Sequence, residues 1–112
     1  MLNTSDILRG LTDTLILAQL IPQDSYGYEL NKNISTKSDG LLEFKEATLY
    51  TSFRRLEENN CISSYWGDEQ SGARRRYYSI TPAGKKLYEE NAKDWQKIKY
   101  LIDQFISQPA EN

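Results

Sequence analysis

From Ile7 to Ile21 the apolar residues do not form a single stripe. Ile7, Leu8, Leu11, Leu15, Ile16, Leu17, Ala18, Leu20 and Ile21 go most of the way round a helix that Thr4 or Ser5 can cap and Pro22 stops. A helix apolar on most sides must be covered on more than one side. In a chain of 112 residues few elements can do that, so the pattern predicts packing inward on its own domain and outward on a second surface such as another subunit.

A second helix is expected after Gln23-Asp24-Ser25, with Asp24 or Ser25 as cap, carrying Tyr26, Tyr28, Leu30 and Ile34 and fading into an Asp39-Gly40 turn. Leu41 to Phe44 is long enough for a short strand at most. Residues 46–59 read as a third helix, with Leu49, Phe53 and Leu56 at i, i+4 and i+7 on one face. Its other face carries Thr48, Thr51, Ser52 and Arg55, with Tyr50 and Arg54 at the sides, and Asn59-Asn60 suits a left-handed end.

Residues 61–66 and 74–80 are β-prone stretches separated by a glycine-bearing polar loop, which predicts a hairpin. Thr81-Pro82 then starts a helix with its hydroxyl as cap and proline at the first position. The helical pattern lasts about 26 residues, roughly 39 Å, longer than one small domain can cover. Along it Asn91, Trp95, Ile98, Ile102 and Phe105 step by four, three, four and three, with Tyr88, Leu101 and Ile106 beside them. A seam of that spacing on a projecting helix commonly meets its own copy across a two-fold axis.

Composition narrows the chemistry. The chain holds no histidine and one cysteine, which excludes a histidine-based triad, an imidazole metal ligand and an intrachain disulfide. No nucleophile lies beside an acid pair or a glycine-rich phosphate loop, so catalysis, a metal and a cofactor are not expected. The first residues lack a basic signal region and no apolar run reaches the roughly 20 residues that span a bilayer. A cytoplasmic, non-membrane protein is expected. Cys61, at an apolar position after the third helix, reads as a buried thiol in preference to a redox sensor.

The net charge of −2 conceals a division. Residues 1–44 hold three bases against six acids, residues 45–86 eight against five, and residues 87–112 three against five. The basic centre coincides with the third helix and the hairpin, where Lys45, Arg54, Arg55, Arg74, Arg75 and Arg76 lie. A phosphate backbone responds to such local clusters, because counterion release depends on the contacts made. Helix, helix, helix, hairpin, helix is the order of a winged helix-turn-helix: the third helix reads bases and the wing lies along the backbone. The fold class is therefore mainly α with a small β-hairpin, and the expected DNA contacts are Lys45, Thr48, Tyr50, Thr51, Ser52, Arg54, Arg55, Arg74, Arg75 and Arg76. Strand alternation predicts that at most two of the three wing arginines reach phosphate together.

Several motifs in order make the chain specific. It resembles the PadR-like transcriptional regulators through Tyr26-Gly27-Tyr28-Glu29-Leu30, through Glu46-Ala47-Thr48-Leu49-Tyr50 leading into Arg55-Leu56-Glu57, and through Ser64-Tyr65-Trp66-Gly67 with Arg74-Arg75-Arg76-Tyr77-Tyr78 and Thr81. The resemblance runs from about Ile7 to Phe105 and is strongest to the short branch with a single C-terminal helix, which includes homodimeric regulators of multidrug transporters. It implies residues 1–80 as the DNA-binding domain, residues 81–108 as a dimerisation helix and residues 109–112 as a disordered tail. It also implies a pore at the dimer centre that takes flat aromatic ligands, lined by Ile7, Leu8, Leu11, Thr14, Leu15, Ala18, Asn91, Trp95, Ile98 and Lys99, with Asp13 at its polar edge and Trp95 stacking on the ligand from each subunit. Ile98, Leu101, Ile102 and Phe105 would form the dimer seam.

Two positions depart from the family pattern. Asn60 replaces a common glycine, and Lys99 stands where drug-binding relatives carry an acid, which leaves the ligand's charge open; an ion pair of Lys99 with Asp13 or Asp103 would neutralise it. The function expected is a homodimeric repressor whose binding to a pseudo-palindromic promoter operator is modulated by drug-like ligands. A winged-helix regulator with no small-molecule ligand, or a winged helix that docks a protein, are the alternatives.

Overall fold

The structure, a computed structural model, describes residues 11–67 and 74–106. The expected start of the first helix at Thr4 or Ser5, with Ile7 and Leu8, lies outside the described residues, as do the wing loop and the tail; within them the helix begins at Thr12 with Leu11 at its cap position, which corrects the expectation of one unbroken helix through Leu11 to Ile21. In chain order the elements are α1 (Thr12–Leu20), β1 (Ser25–Tyr26), α2 (Gly27–Lys37), α3 (Glu46–Glu58), β2 (Ile62–Trp66), β3 (Arg76–Ile80) and α4 (Pro82–Ile106).

The hairpin is wider than its sequence indicates. β2 and β3 pair antiparallel, and Ser25 and Tyr26 add a third strand on the far side of β3, giving the order β1-β3-β2. The expected Asp24 or Ser25 cap on the second helix is thus corrected. Tyr26 occupies the cap position without a side-chain hydrogen bond, and the Ser25 hydroxyl instead donates to Glu29 Oε1 at 2.7 Å. Two residues are too few to show a β period, and the strand exists because Tyr77 and Tyr78 are there to pair with. Leu41 to Phe44 makes no strand.

The core lies where three helices meet the inner face of this sheet. Ile16, Leu17 and Leu20 from α1, Leu30 and Ile34 from α2, Leu49, Phe53 and Leu56 from α3, then Cys61, Ile62 and Tyr78 form one buried cluster. Burying each large side chain of this kind contributes roughly 1.5 to 3 kcal/mol. Register decides which sheet residues join: Ile62, Ser64 and Trp66 share a face with their partners Ile80, Tyr78 and Arg76, while Ser63 and Tyr65 face outward with Ser79 and Tyr77.

The connections are held by specific bonds. The Asn31 amide grips the Phe44 backbone in both directions, Nδ2 donating to its carbonyl at 2.7 Å and Oδ1 accepting its N–H at 3.0 Å. That fixes the turn between α2 and α3. Asp39 and Gly40 take φ of 55° and 78°, as the turn signal predicts. Past α3, Asn60 sits at φ 61°, with Cys61 N–H bonding the Leu56 carbonyl and Asn60 N–H the Glu57 carbonyl, the Schellman ending that glycine usually supplies.

The Thr81 hydroxyl caps α4 by accepting Gly84 N–H at 3.0 Å and donates to the Asn60 carbonyl at 2.7 Å. A Cβ on Gly84 would overlap the Cys61 carbonyl and Ile80, so this close approach requires glycine. Leu87 and Tyr88 still pack on the core. From Lys93 to Ile106 every residue is exposed, and the chain extends 64 × 30 × 22 Å.

Candidate nucleic-acid interface

On α3 the core face carries Leu49, Phe53 and Leu56, and the far side presents Thr48, Tyr50, Thr51 and Arg54 to solvent, with Lys45 exposed at the cap position before it. Ser52 departs from expectation. It is 2% exposed and lies beside the buried stripe, because position 52 is a single residue, about 100° of helix rotation, from Phe53. Its hydroxyl accepts from Arg55 Nη2 at 3.2 Å.

Arg55 is also engaged within the chain. Its Nε donates to Asp13 Oδ2 at 2.9 Å and its Nη2 to Asp13 Oδ1 at 2.6 Å, a two-pronged bridge between α3 and α1. This bonding to the carboxylate raises the guanidinium above its ordinary range. Asp13, expected at the polar edge of a pore and as a partner for Lys99, is therefore taken by the third helix. Thr14 is likewise buried and accepts from Asn91 Nδ2 at 2.9 Å. Leu11, Leu15 and Ala18 are half-buried on α1.

The triple arginine divides by face, as alternation requires. Arg76 Nη2 donates to Ser64 Oγ at 2.8 Å and pairs with Glu57 at 3.5 Å, while Ser64 Oγ donates to Glu57 Oε2 at 2.7 Å. This triangle ties the wing to the end of α3. Arg74 and Arg76 approach the Trp66 ring at 5.7 and 5.9 Å from its centroid, and Arg75 lies 4.9 Å over Tyr26 on the other face. There Tyr26, Tyr77 and Tyr65 are direct partners across the three strands. Tyr77 meets Tyr26 edge-on at 5.3 Å and stacks on Tyr65 at 5.7 Å, and the Tyr65 hydroxyl donates to Asp24 at 2.5 Å, which holds the phenol above its usual range.

Sequence reasoning assigns no site to Tyr28 or Lys32. Both line an open cleft of about 470 Å³ between α2 and the start of α3, beside Tyr50. Gly27 admits the Tyr50 hydroxyl there, since a Cβ would come within 2.9 Å of it. The glycine between two tyrosines was the available signal, but only the fold brings Tyr50 to it. Glu57 and Ser64, the anchors of Arg76, stand in the motifs quoted above, but spacing gives no sign that they bond to Arg76.

Beyond the sheet, Trp95 is 40% exposed and Ile98, Leu101, Ile102 and Phe105 more so. Lys99 is exposed on the same helix. The stripe does not fold back on its own domain. Among the described residues no group of three or more acids or cysteines is placed to hold a metal, and no helix is long and apolar enough to cross a membrane.

Three helices carrying a three-stranded sheet, with one helix exposing a polar face beside a basic hairpin, define a winged helix-turn-helix. The family model for the transcriptional regulator PadR-like family matches residues 16–90. A solved transcriptional regulator from Clostridium thermocellum is 50% identical and superposes with a TM-score of 0.85, covering 91% of this chain and 99% of its own. A PadR family transcription regulator from Clostridium difficile is 39% identical with a TM-score of 0.75, over 87% and 99%. An uncharacterised protein of Lysinibacillus sphaericus is 43% identical over 91% of this chain and 94% of its own. The chain belongs to the PadR-like family: it is a transcriptional regulator and not an enzyme, and DNA binding comes with that class.

Proposed function

We propose that the chain is a homodimeric repressor that reads a pseudo-palindromic promoter site and is modulated by flat aromatic ligands between its two copies. Thr48, Tyr50 and Thr51 would enter the major groove, with Lys45, Arg54, Arg74 and Arg75 on phosphates, since hydroxyls and long bases suit base edges and backbone respectively. Ser52, Arg55 and Arg76 leave this set because their side chains are used inside the domain.

The observation that carries the reading is the row Trp95, Ile98, Leu101, Ile102 and Phe105, exposed on a helix that outruns its own domain. A contiguous apolar stripe of this kind is costly in water and is relieved by a second copy. Two Trp95 rings brought together across an axis make a slot for planar molecules, where offset stacking adds roughly 0.5 to 1.5 kcal/mol per aromatic pair. Asn91 Nδ2 donates to Thr14 Oγ1 at 2.9 Å, which would hold that amide in one orientation beside such a slot. Ligand in the slot would change the separation of the reading helices, and half-sites one helical turn apart tolerate little change.

Gel retardation with the DNA upstream of the protein's own gene tests the repressor reading, and no retardation at low salt would sink it. For the ligand, Trp66→Phe leaves Trp95 as the reporting indole, whose fluorescence should be quenched by a planar aromatic dye. Trp95→Ala should abolish dye binding and leave the DNA complex intact. Unaltered dye affinity would favour a regulator without this pocket.

A further inference from the structure

Two adjacent residues of α1 reach in different directions. Asp13 takes Nε and Nη2 of Arg55 from α3, and Thr14 takes Nδ2 of Asn91 from α4. The Arg55 guanidinium also meets the buried Ser52 hydroxyl, so three oxygens from two helices hold it in the crevice between α1 and α3. Residue 13 and residue 55 are 42 positions apart in sequence, so the bridge constrains tertiary geometry and not local helix.

Fork-to-fork pairing of guanidinium and carboxylate fixes distance and orientation together, which the point charge of a lysine does not. With half of the Arg55 side chain exposed, solvent screens the pair and its contribution to stability is small. Its two-pronged geometry nonetheless favours one rotation and one register of α3 along α1, and the Thr14 to Asn91 bond one residue on does the same for α4.

We propose that Asp13 and Thr14 form a junction that sets the reading helix against α4, with Arg55 a positioning residue and not a DNA contact. In a regulator that reads two half-sites, the angle between these helices fixes where each α3 meets the groove. The inference rests on α3 being the reading helix, and not on the ligand reading.

The test measures affinity for duplex DNA from upstream of the protein's own gene by fluorescence anisotropy across a salt series. Wild type is compared with Arg54→Gln, Arg55→Gln, Arg55→Lys and Asp13→Asn, and circular dichroism and thermal midpoints confirm that each is folded. Removing one phosphate-binding cation lowers the slope of log K against log salt by about 0.9. Arg54→Gln should show that drop. Arg55→Gln, Arg55→Lys and Asp13→Asn should each keep the wild-type slope and weaken binding roughly 3- to 30-fold, the scale of coupling through a packed network.

Failure of lysine to rescue is the mark of positioning. If Arg55 were a phosphate contact masked by Asp13, Asp13→Asn would tighten binding and steepen the slope, and Arg55→Lys would behave as wild type; either result overturns the proposal. Unchanged affinity in all three variants also overturns it. If wild-type protein fails to bind at low salt, both this inference and the reader assignment fall, whereas an effect of Arg54→Gln alone removes only this inference.

Discussion

The ring of Phe53 on α3 lies almost parallel to that of Tyr78 on β3, with centroids 4.0 Å apart and planes inclined by 16°. This contact joins the helix proposed to read bases to the strand that carries the wing, so the two would meet DNA as one body. Phe53→Ala should destabilise the fold by about 3 to 5 kcal/mol, the usual cost of emptying a buried aromatic site. Urea unfolding measures it. A loss under about 1 kcal/mol would show that the stack is not the joint.

Alkaline pH should loosen the same region. Burial, then the charge of Asp13, raises the Cys61 thiol above its ordinary 9.0, and burial raises the Tyr78 phenol above 10.0. Below those unfolded values both groups are protonated in either state, and their contribution is complete. Above them the unfolded chain ionises first, so stability falls as pH climbs through 9 to 10 and beyond. Urea midpoints should decline over that window, and Tyr78→Phe should flatten the decline. An equally steep decline in the variant would clear Tyr78 of the effect.

The wing arginines should separate by role. Replacing Arg74 and Arg75 with Gln should weaken binding to all duplexes alike and flatten the salt dependence by about 0.9 for each phosphate no longer neutralised. Arg76→Gln should leave the slope alone, because its guanidinium is bonded to Ser64 and Glu57. A slope change from Arg76→Gln equal to that of Arg74→Gln would refute the division.

Ile98→Glu combined with Ile102→Glu should convert the protein from about twice its 13.0 kDa chain mass to a single chain in sedimentation, since paired acids across a two-fold seam repel in low dielectric. The domain formed by α1 to β3 should stay folded, because neither residue touches the core. A wild-type chain that sediments as a monomer at micromolar concentration would refute the seam.

The fold was largely legible because α3 and α4 follow their helical period and because Thr81-Pro82, Asn60 and Asp39-Gly40 carry local rules that tertiary structure did not override. β1 was not legible, since a two-residue strand has no period and depends on Tyr77 and Tyr78, far along the chain. The interface was half legible. Exposed Thr48, Thr51 and Arg54 follow from helix geometry, whereas the burial of Ser52 and the engagement of Arg55 by Asp13 and of Arg76 by Glu57 come from the way separate segments pack, invisible to spacing. The divided charge of the sequence is also partly internal: Arg55 and Arg76 of the basic centre have acids of their own chain as neighbours.

The length of α4 has a genetic consequence. In the proposed dimer, completing the apolar stripe with another copy makes each chain answerable for its neighbour. A chain with an intact Trp95 to Phe105 stripe and an α3 stripped of Thr51 and Arg54 would enter mixed pairs holding one working half. Two-site reading multiplies the halves' contributions, so modest overexpression of such a chain in cells carrying the normal copy would act as a dominant inhibitor.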